Sequence, residues 1–310
     1  MGNSSVNDES AMNKLVHDLT CSDNSPLMCH IKFGEEPFPD NNRIKQAIKL
    51  CRAILFPGFF GSSDIDGHNL ENMLYLECYR LKSILDDQIT AGLVMGCKCR
   101  EKADLPSLRR KATGITSHFL TKLPQLRTTL YTDVEAIFDG DPAAISHEEV
   151  IYCYPAIKAI TNYRIAHELL LEGVPILPRM ITEFAHSETG IDIHPGASIG
   201  HHFSIDHGTG VVIGATAIIG NNVKLYQGVT LGAKSFDTDE NGNPIKGVPR
   251  HPIIGNNVII YSNASVLGRI TIGDNAIVGG NLWVTSDVAP GERLIQAKAN
   301  NVVRLKNNNE

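Results

Sequence analysis

Between Ile193 and Val284 an aliphatic residue returns every six positions. The series runs Ile193, Ile199, Ile205, shifts by two residues, resumes at Ile213, Ile219, Leu225, Leu231, is interrupted, and continues through Ile254, Ile260, Val266, Ile272, Val278 and Val284. A small or apolar residue usually stands four places further on, as at Ala197, Ala217, Val223, Val229, Ala264, Ile270 and Ala276. Helices need apolar spacings of three and four, and free strands a spacing of two. A fixed period of six therefore predicts a solenoid of short strands and tight turns. Three such pieces close a triangular coil, so the stretch holds roughly four to five coils and stands roughly 20 Å tall at the ~4.8 Å spacing of paired strands. Ordinary strands with coincidental glycines would not hold this phase.

The remaining chain divides around the repeat. Residues 1–40 are polar and read as a mobile N-terminal extension with room for a short helix. Residues 41–186 carry helical spacing. A first helix has the face Ile44, Ala47, Ile48, Cys51, Ile54, Leu55 and ends at Pro57-Gly58. A second starts near Leu70 with Asn69 as N-cap, a third follows Pro106, and a fourth spans about 124–138. Asp139-Gly140-Asp141-Pro142 reads as a turn, residues 147–172 as a helix kinked near Pro155, and about 175–186 as a last short helix. The repeat domain covers 187–290, with an inserted loop at 233–252 rich in Asp, Gly, Asn and Lys. A polar tail follows at 291–310.

Composition narrows the function classes. A net charge of −6 gives no electrostatic case for nucleic acid or an anionic membrane surface. No apolar stretch is long enough for a transmembrane helix, and no signal-peptide core is present. Val6 stands where a myristoylation motif needs Ser or Thr. Seven cysteines, none in the repeat, lack zinc-site spacing and read as free thiols of a cytoplasmic protein.

The polar residues of the repeat and its neighbours are concentrated in a few motifs. These are Asp192-Ile193-His194-Pro195, Asp206-His207-Gly208-Thr209-Gly210, Arg250-His251-Pro252, Asp139-Gly140-Asp141-Pro142-Ala143, and Tyr163-Arg164-Ile165-Ala166-His167. Together they resemble serine O-acetyltransferase, within the hexapeptide-repeat acyltransferases. The resemblance covers roughly residues 125–290. It implies an α+β chain, an N-terminal all-α helical domain followed by a left-handed parallel β-helix prism. It also implies transfer of the acetyl group of acetyl-CoA to L-serine, the first step of cysteine synthesis.

By that resemblance Asp192 and His207 are catalytic. A neutral imidazole takes the serine hydroxyl proton, and a carboxylate on the other ring nitrogen fixes the tautomer. The adjacent Asp206 is the less favoured orienting acid on chain geometry. Arg250 and His251 are assigned to the substrate carboxylate, and Asp141 and Asp206 to its ammonium. Gly232, Ala233, Lys234, Ala264 and Gly280 are assigned to acetyl-CoA, in a groove between neighbouring prisms. His194 is read as structural. Gly214-Ala215-Thr216 replaces the usual Gly-Glu-Thr, Gly232-Ala233-Lys234-Ser235 replaces Gly-Gly-Thr-Gly, and Trp283 stands where smaller residues are usual. The implied partners are L-serine, acetyl-CoA, L-cysteine as feedback inhibitor, and further copies of the chain in a homotrimer, with pairing of trimers left open. No metal is expected. A tight cysteine synthase complex is not expected either, because the chain ends Asn-Asn-Asn-Glu310 rather than in isoleucine. Two other readings remain: a hexapeptide acetyltransferase for another hydroxyl or amino acceptor, and a γ-carbonic-anhydrase-type hydratase using His194, His201, His202 and His207 as zinc ligands.

Overall fold

The computed structural model describes residues 4–20, 37–62, 64–97, 103–235 and 238–297. The tail invoked for cysteine synthase, and three of the cysteines, lie outside them. The four described cysteines are free. Two units separate at residue 36. The first holds α1 (Ser4–Thr20), with Met12, Leu15, Val16 and Leu19 exposed.

The second unit opens with helices packed on their apolar faces. α2 (Asn41–Leu55) starts where the Asp40 carboxylate accepts from the backbone N–H of Asn42 and Arg43. α3 (Leu70–Met95) is not capped by the Asn69 side chain, contrary to expectation. The Asp66 carboxylate instead accepts from the N–H of His68 and Asn69. α4 (Leu105–Gly140) is one helix where the sequence suggested two. Pro124 removes one N–H, but the buried stripe Ile115, Phe119, Leu123, Leu126, Leu130, Val134, Ile137 stays in helical phase across it, so packing on both sides carries the helix through. α5 (His147–Cys153) and α6 (Pro155–Leu171) are separated at Tyr154, which the following proline holds extended (φ −83°, ψ 119°). α7 (Leu177–Thr189) ends on Gly190 in the left-handed conformation (φ 71°).

The repeat folds as a parallel three-faced β-helix. Face 1 stacks β1 (Asp192–Ile193), β4 (Val212–Ile213), β7 (Thr230–Gly232), β10 (Ser265–Leu267) and β13 (Trp283–Val284). Face 2 stacks β2 (Ser198–Ile199), β5 (Ile218–Ile219), β8 (Ile253–Ile254) and β11 (Thr271–Ile272). Face 3 stacks β3 (Ser204–Asp206), β6 (Lys224–Tyr226), β9 (Ile259–Ile260), β12 (Ile277–Val278) and β14 (Arg293–Leu294). β14 falls within the stretch read as tail. The six-residue aliphatics pair coil on coil, as Ile193 with Ile213 and Ile213 with Leu231, and nearly all are buried. At the corner between faces 2 and 3, His202, Asn222, Asn257 and Asn275 stand in line at positive φ, joined by side-chain hydrogen bonds of 2.8–3.1 Å. Asparagine tolerates that backbone region better than most residues.

The first coil has carbonyls on its open edge with no coil above them, a cost unless they are paired. α6 covers that edge. Tyr163 donates its hydroxyl to Ala197 O (2.7 Å), Arg164 Nη2 donates to Gly200 O (2.8 Å), and His167 Nδ1 donates to Pro195 O (2.8 Å). α4 serves the matching N–H groups: Asp133 Oδ1 accepts from Phe203 and Thr132 Oγ1 from His202, each at 3.0 Å. Asp133 and Arg164 are themselves buried and joined by two bonds (2.6 and 2.8 Å). The Tyr-Arg-Ile-Ala-His motif thus caps the prism and fixes the helices against the first coils.

Candidate active site at two corners of the prism

His207 follows β3 at the corner between faces 3 and 1, inside the two-residue shift of the repeat. It adopts φ 56°, which turns its ring outward, and its side chain is 75% exposed. Asp206 beside it is largely covered. One carboxylate oxygen lies 3.6 Å from His207 Nε2 and the other 3.4 Å from Lys224 Nζ. Lys224 also donates to Gly140 O and lies 4.6 Å above the Tyr226 ring, so it ties the end of α4 to the prism. Burial works against the charge on Lys224, but Tyr226 and Asp206 outweigh it and hold the ammonium above its usual range.

Asp141 closes α4 and reaches the same corner. Its carboxylate accepts from Tyr154 OH (2.6 Å) and from Ala143 N–H (2.8 Å), and these bonds hold it below the ordinary carboxylate range. The reciprocal effect pushes the Tyr154 phenol up to about 12. Tyr154 escaped the sequence reading; its signal is the position before Pro155, between two helices. Two carboxyl groups, those of Asp141 and Asp206, with one lysine between them give the corner an acidic surplus suited to an ammonium ion.

Asp192 opens face 1 and lies in an ion pair with α7. Its ion-pair partner is Arg179 Nη1 at 3.6 Å, and Arg179 also pairs with Glu183 on the same helix. Among the described residues the carboxylate closest to the His207 ring belongs to Asp206.

The second cluster occupies the corner between faces 1 and 2, where the inserted loop returns to the prism. His251 is buried, and its ring lies directly over Gly214: a Cβ there would meet His251 Cδ2 at 1.9 Å. Thr216 N–H and Oγ1 both lie at His251 Nδ1 (3.1 and 2.8 Å). Thr216 Oγ1 accepts from the backbone N–H of Arg250 (2.9 Å) and His251 (3.2 Å). Arg269 Nη1 donates to Thr216 O (2.7 Å) and His251 O (2.9 Å). Burial, then the charges of Arg250, His194 and Arg269, lower the His251 pKa to about 4. His194, at the same corner, is also lowered, chiefly by burial.

The residues expected at acetyl-CoA divide in the same way. Gly232, Ala233 and Lys234 stand at the corner of faces 1 and 2. Ala264 and Gly280 stand at the corner of faces 3 and 1, where Ala264 is fully buried. Face 1 lies between the two corners and bears Trp283, 73% exposed. The four histidines considered as zinc ligands are spread over three corners: His194 on one, His201 and His202 on the next, His207 on the last. They do not converge. Among the described residues one group has metal-ligand proximity, Glu183, His186 and Asp192, and Arg179 pairs with both of its carboxylates.

Residues 251–286 match the family model described as bacterial transferase hexapeptide (six repeats). A serine acetyltransferase of Synechococcus elongatus is 41% identical over 93% of this chain and 91% of its own. Serine acetyltransferase isoform 3 of Entamoeba histolytica, solved in complex with cysteine, superposes with a TM-score of 0.70 at 33% identity, covering 94% of this chain and 93% of that one. Serine acetyltransferase 1 of the same organism, in complex with L-cysteine, gives a TM-score of 0.69 at 35% identity, covering 90% and 94%.

Proposed function

Because this chain belongs to the serine acetyltransferase family, we propose that it acetylates the hydroxyl of L-serine with acetyl-CoA, by direct transfer at His207. The observation that carries the reading is the pairing of opposite charges on two corners: Asp141 and Asp206 beside His207, and Arg250 with His251 across face 1. A zwitterionic amino acid needs both groups, and a sugar needs neither. His207 is exposed enough to receive the hydroxyl proton as the serine oxygen attacks the thioester carbonyl. The tetrahedral intermediate collapses with loss of CoA thiolate, which takes the proton back from the imidazolium. The Asp206 carboxylate lies 3.6 Å from the ring and faces it.

One serine cannot span a prism face. Side-by-side prisms in a homotrimer would bring the His207 corner of one copy to the Arg250 corner of the next, joining both ends of the acceptor and both sets of CoA residues. The same division of substrate and CoA residues over the same two corners supports that arrangement. L-Cysteine shares the ammonium and carboxylate of serine, so it should compete with it, as the cysteine complexes of the Entamoeba relatives suggest.

Thiol release from acetyl-CoA with serine, homoserine and a panel of sugars tests the reading, alongside light scattering of the purified protein. Turnover restricted to the amino acids, competitive inhibition by cysteine and a trimer mass are expected. Preference for a sugar, or full activity as a monomer, would overturn it.

A further inference from the structure

We propose that Thr216 is a positioning residue: it fixes the tautomer of His251 with the proton on Nε2, so that the ring presents a hydrogen-bond donor to the carboxylate of the acceptor. This rests on the serine-acetylating reading above. The hydrogen-bond inventory leads to it directly. Thr216 Oγ1 already accepts from two backbone N–H groups, those of Arg250 and His251. Its two lone pairs are used, and its one remaining capacity is to donate. The atom in reach is His251 Nδ1 at 2.8 Å. The Thr216 N–H points at the same nitrogen from 3.1 Å. A nitrogen receiving two donors must offer its lone pair, so the ring proton sits on Nε2.

Two further contacts hold the ring in that attitude. Gly214 lies flat beneath it, with no room for a Cβ. Arg269 clamps the carbonyls of Thr216 and His251 together. Burial, and after it the charges of Arg250, His194 and Arg269, oppose a second ring proton. Nε2 has no acceptor among the described residues, so its N–H is available to a ligand. A neutral donor beside the Arg250 guanidinium recognises a carboxylate without adding a charge that would itself need desolvation. Thr216 thereby sets selectivity for an amino acid over an amino alcohol.

The test uses the full chain with histidine labelled with ¹⁵N, and the His251 signals are identified by their loss in H251Q. The wild-type spectrum near neutral pH should show a neutral ring protonated at Nε2. Kinetics then compare L-serine with L-serine amide, which keeps the hydroxyl and ammonium but lacks the carboxylate. T216V should raise the serine KM roughly tenfold, the worth of one hydrogen bond to a charged group, with kcat and the KM for the amide little changed. T216S should restore the wild-type values. G214A, which leaves the hydroxyl in place but displaces the ring, should reproduce the serine defect if T216V does not fold. A wild-type ring protonated at Nδ1 or doubly protonated would overturn the proposal, as would equal losses for serine and its amide. Absence of serine acetylation by the wild type would instead strike the functional reading, while the spectrum would still decide the tautomer.

Discussion

Replacing Arg164 with methionine removes the cation from a sealed site. Asp133 is fully buried and receives two of its three hydrogen bonds from Arg164. Its carboxyl already lies above the ordinary range, because burial outweighs the help of Arg164 and Phe203. Breaking one side of such a pair costs about 3–5 kcal/mol. The Gly200 carbonyl also loses its bond, worth about 1 kcal/mol. Taking about 5 kcal/mol in all, the thermal midpoint should fall by roughly 10–15 °C for a unit of this size. The loss should depend on pH with a definite sign. Without Arg164 the folded-state pKa of Asp133 rises further, so the folded chain keeps a proton that the unfolded chain has released. Stability contributed by that proton is present at low pH and is lost as pH rises through the folded pKa. The deficit against wild type should therefore be largest at neutral pH and shrink toward pH 4. Circular-dichroism melts of both proteins from pH 4 to 8 measure this. A deficit below about 1 kcal/mol, or one that does not change with pH, would refute the reasoning. Replacing Asp133 as well with leucine should recover much of the loss, because no buried charge is then left unpaired.

His207→Ala should lower acetyl transfer by roughly 10²–10⁴-fold, as for loss of a general base, with the melting profile unchanged; near-normal turnover would remove His207 from the mechanism. Asp206→Asn should lower kcat as well as raise the serine KM, whereas Asp192→Asn should cost less, because Asp192 is engaged by Arg179; the reverse order in steady-state kinetics would return the orienting role to Asp192. His251, depressed to about 4 in the fold against about 6.5 unfolded, should make stability fall as pH drops from about 6.5 to 4, since the unfolded chain takes up the proton first. Thermal melts of His251→Gln should lack that component of the slope.

The six-residue phase alone determined the prism, because a solenoid repeats one local environment and each aliphatic reports the same inward direction. Its two interruptions also coincide with the two corners of the candidate site. The shift after Ile205 carries His207, and the insertion before Ile254 ends in Arg250-His251. A helical region ahead of the repeat was legible from its apolar spacing, but its punctuation was not. Pro124 read as a boundary on local grounds, and only the buried stripe packed on both sides of it keeps α4 whole. Arg293 and Leu294 lack the repeat's strict pattern, yet they pair with β12 because that coil edge stands open to them.

Side-chain partners were decided by the tertiary structure. Spacing put Asp192 and His207 at the two ends of one coil. It did not reveal that Arg179 of α7 would hold Asp192, nor that a positive φ would swing His207 outward. Tyr154 and Lys224 carry no motif of their own, and Thr216 drew notice only for the Ala215 beside it. Each acquires its role from an atom distant in sequence: Asp141 for Tyr154, Gly140 O for Lys224, His251 Nδ1 for Thr216. A periodic backbone is written in one dimension. Hydrogen bonds between segments depend on where the coils and helices finally meet.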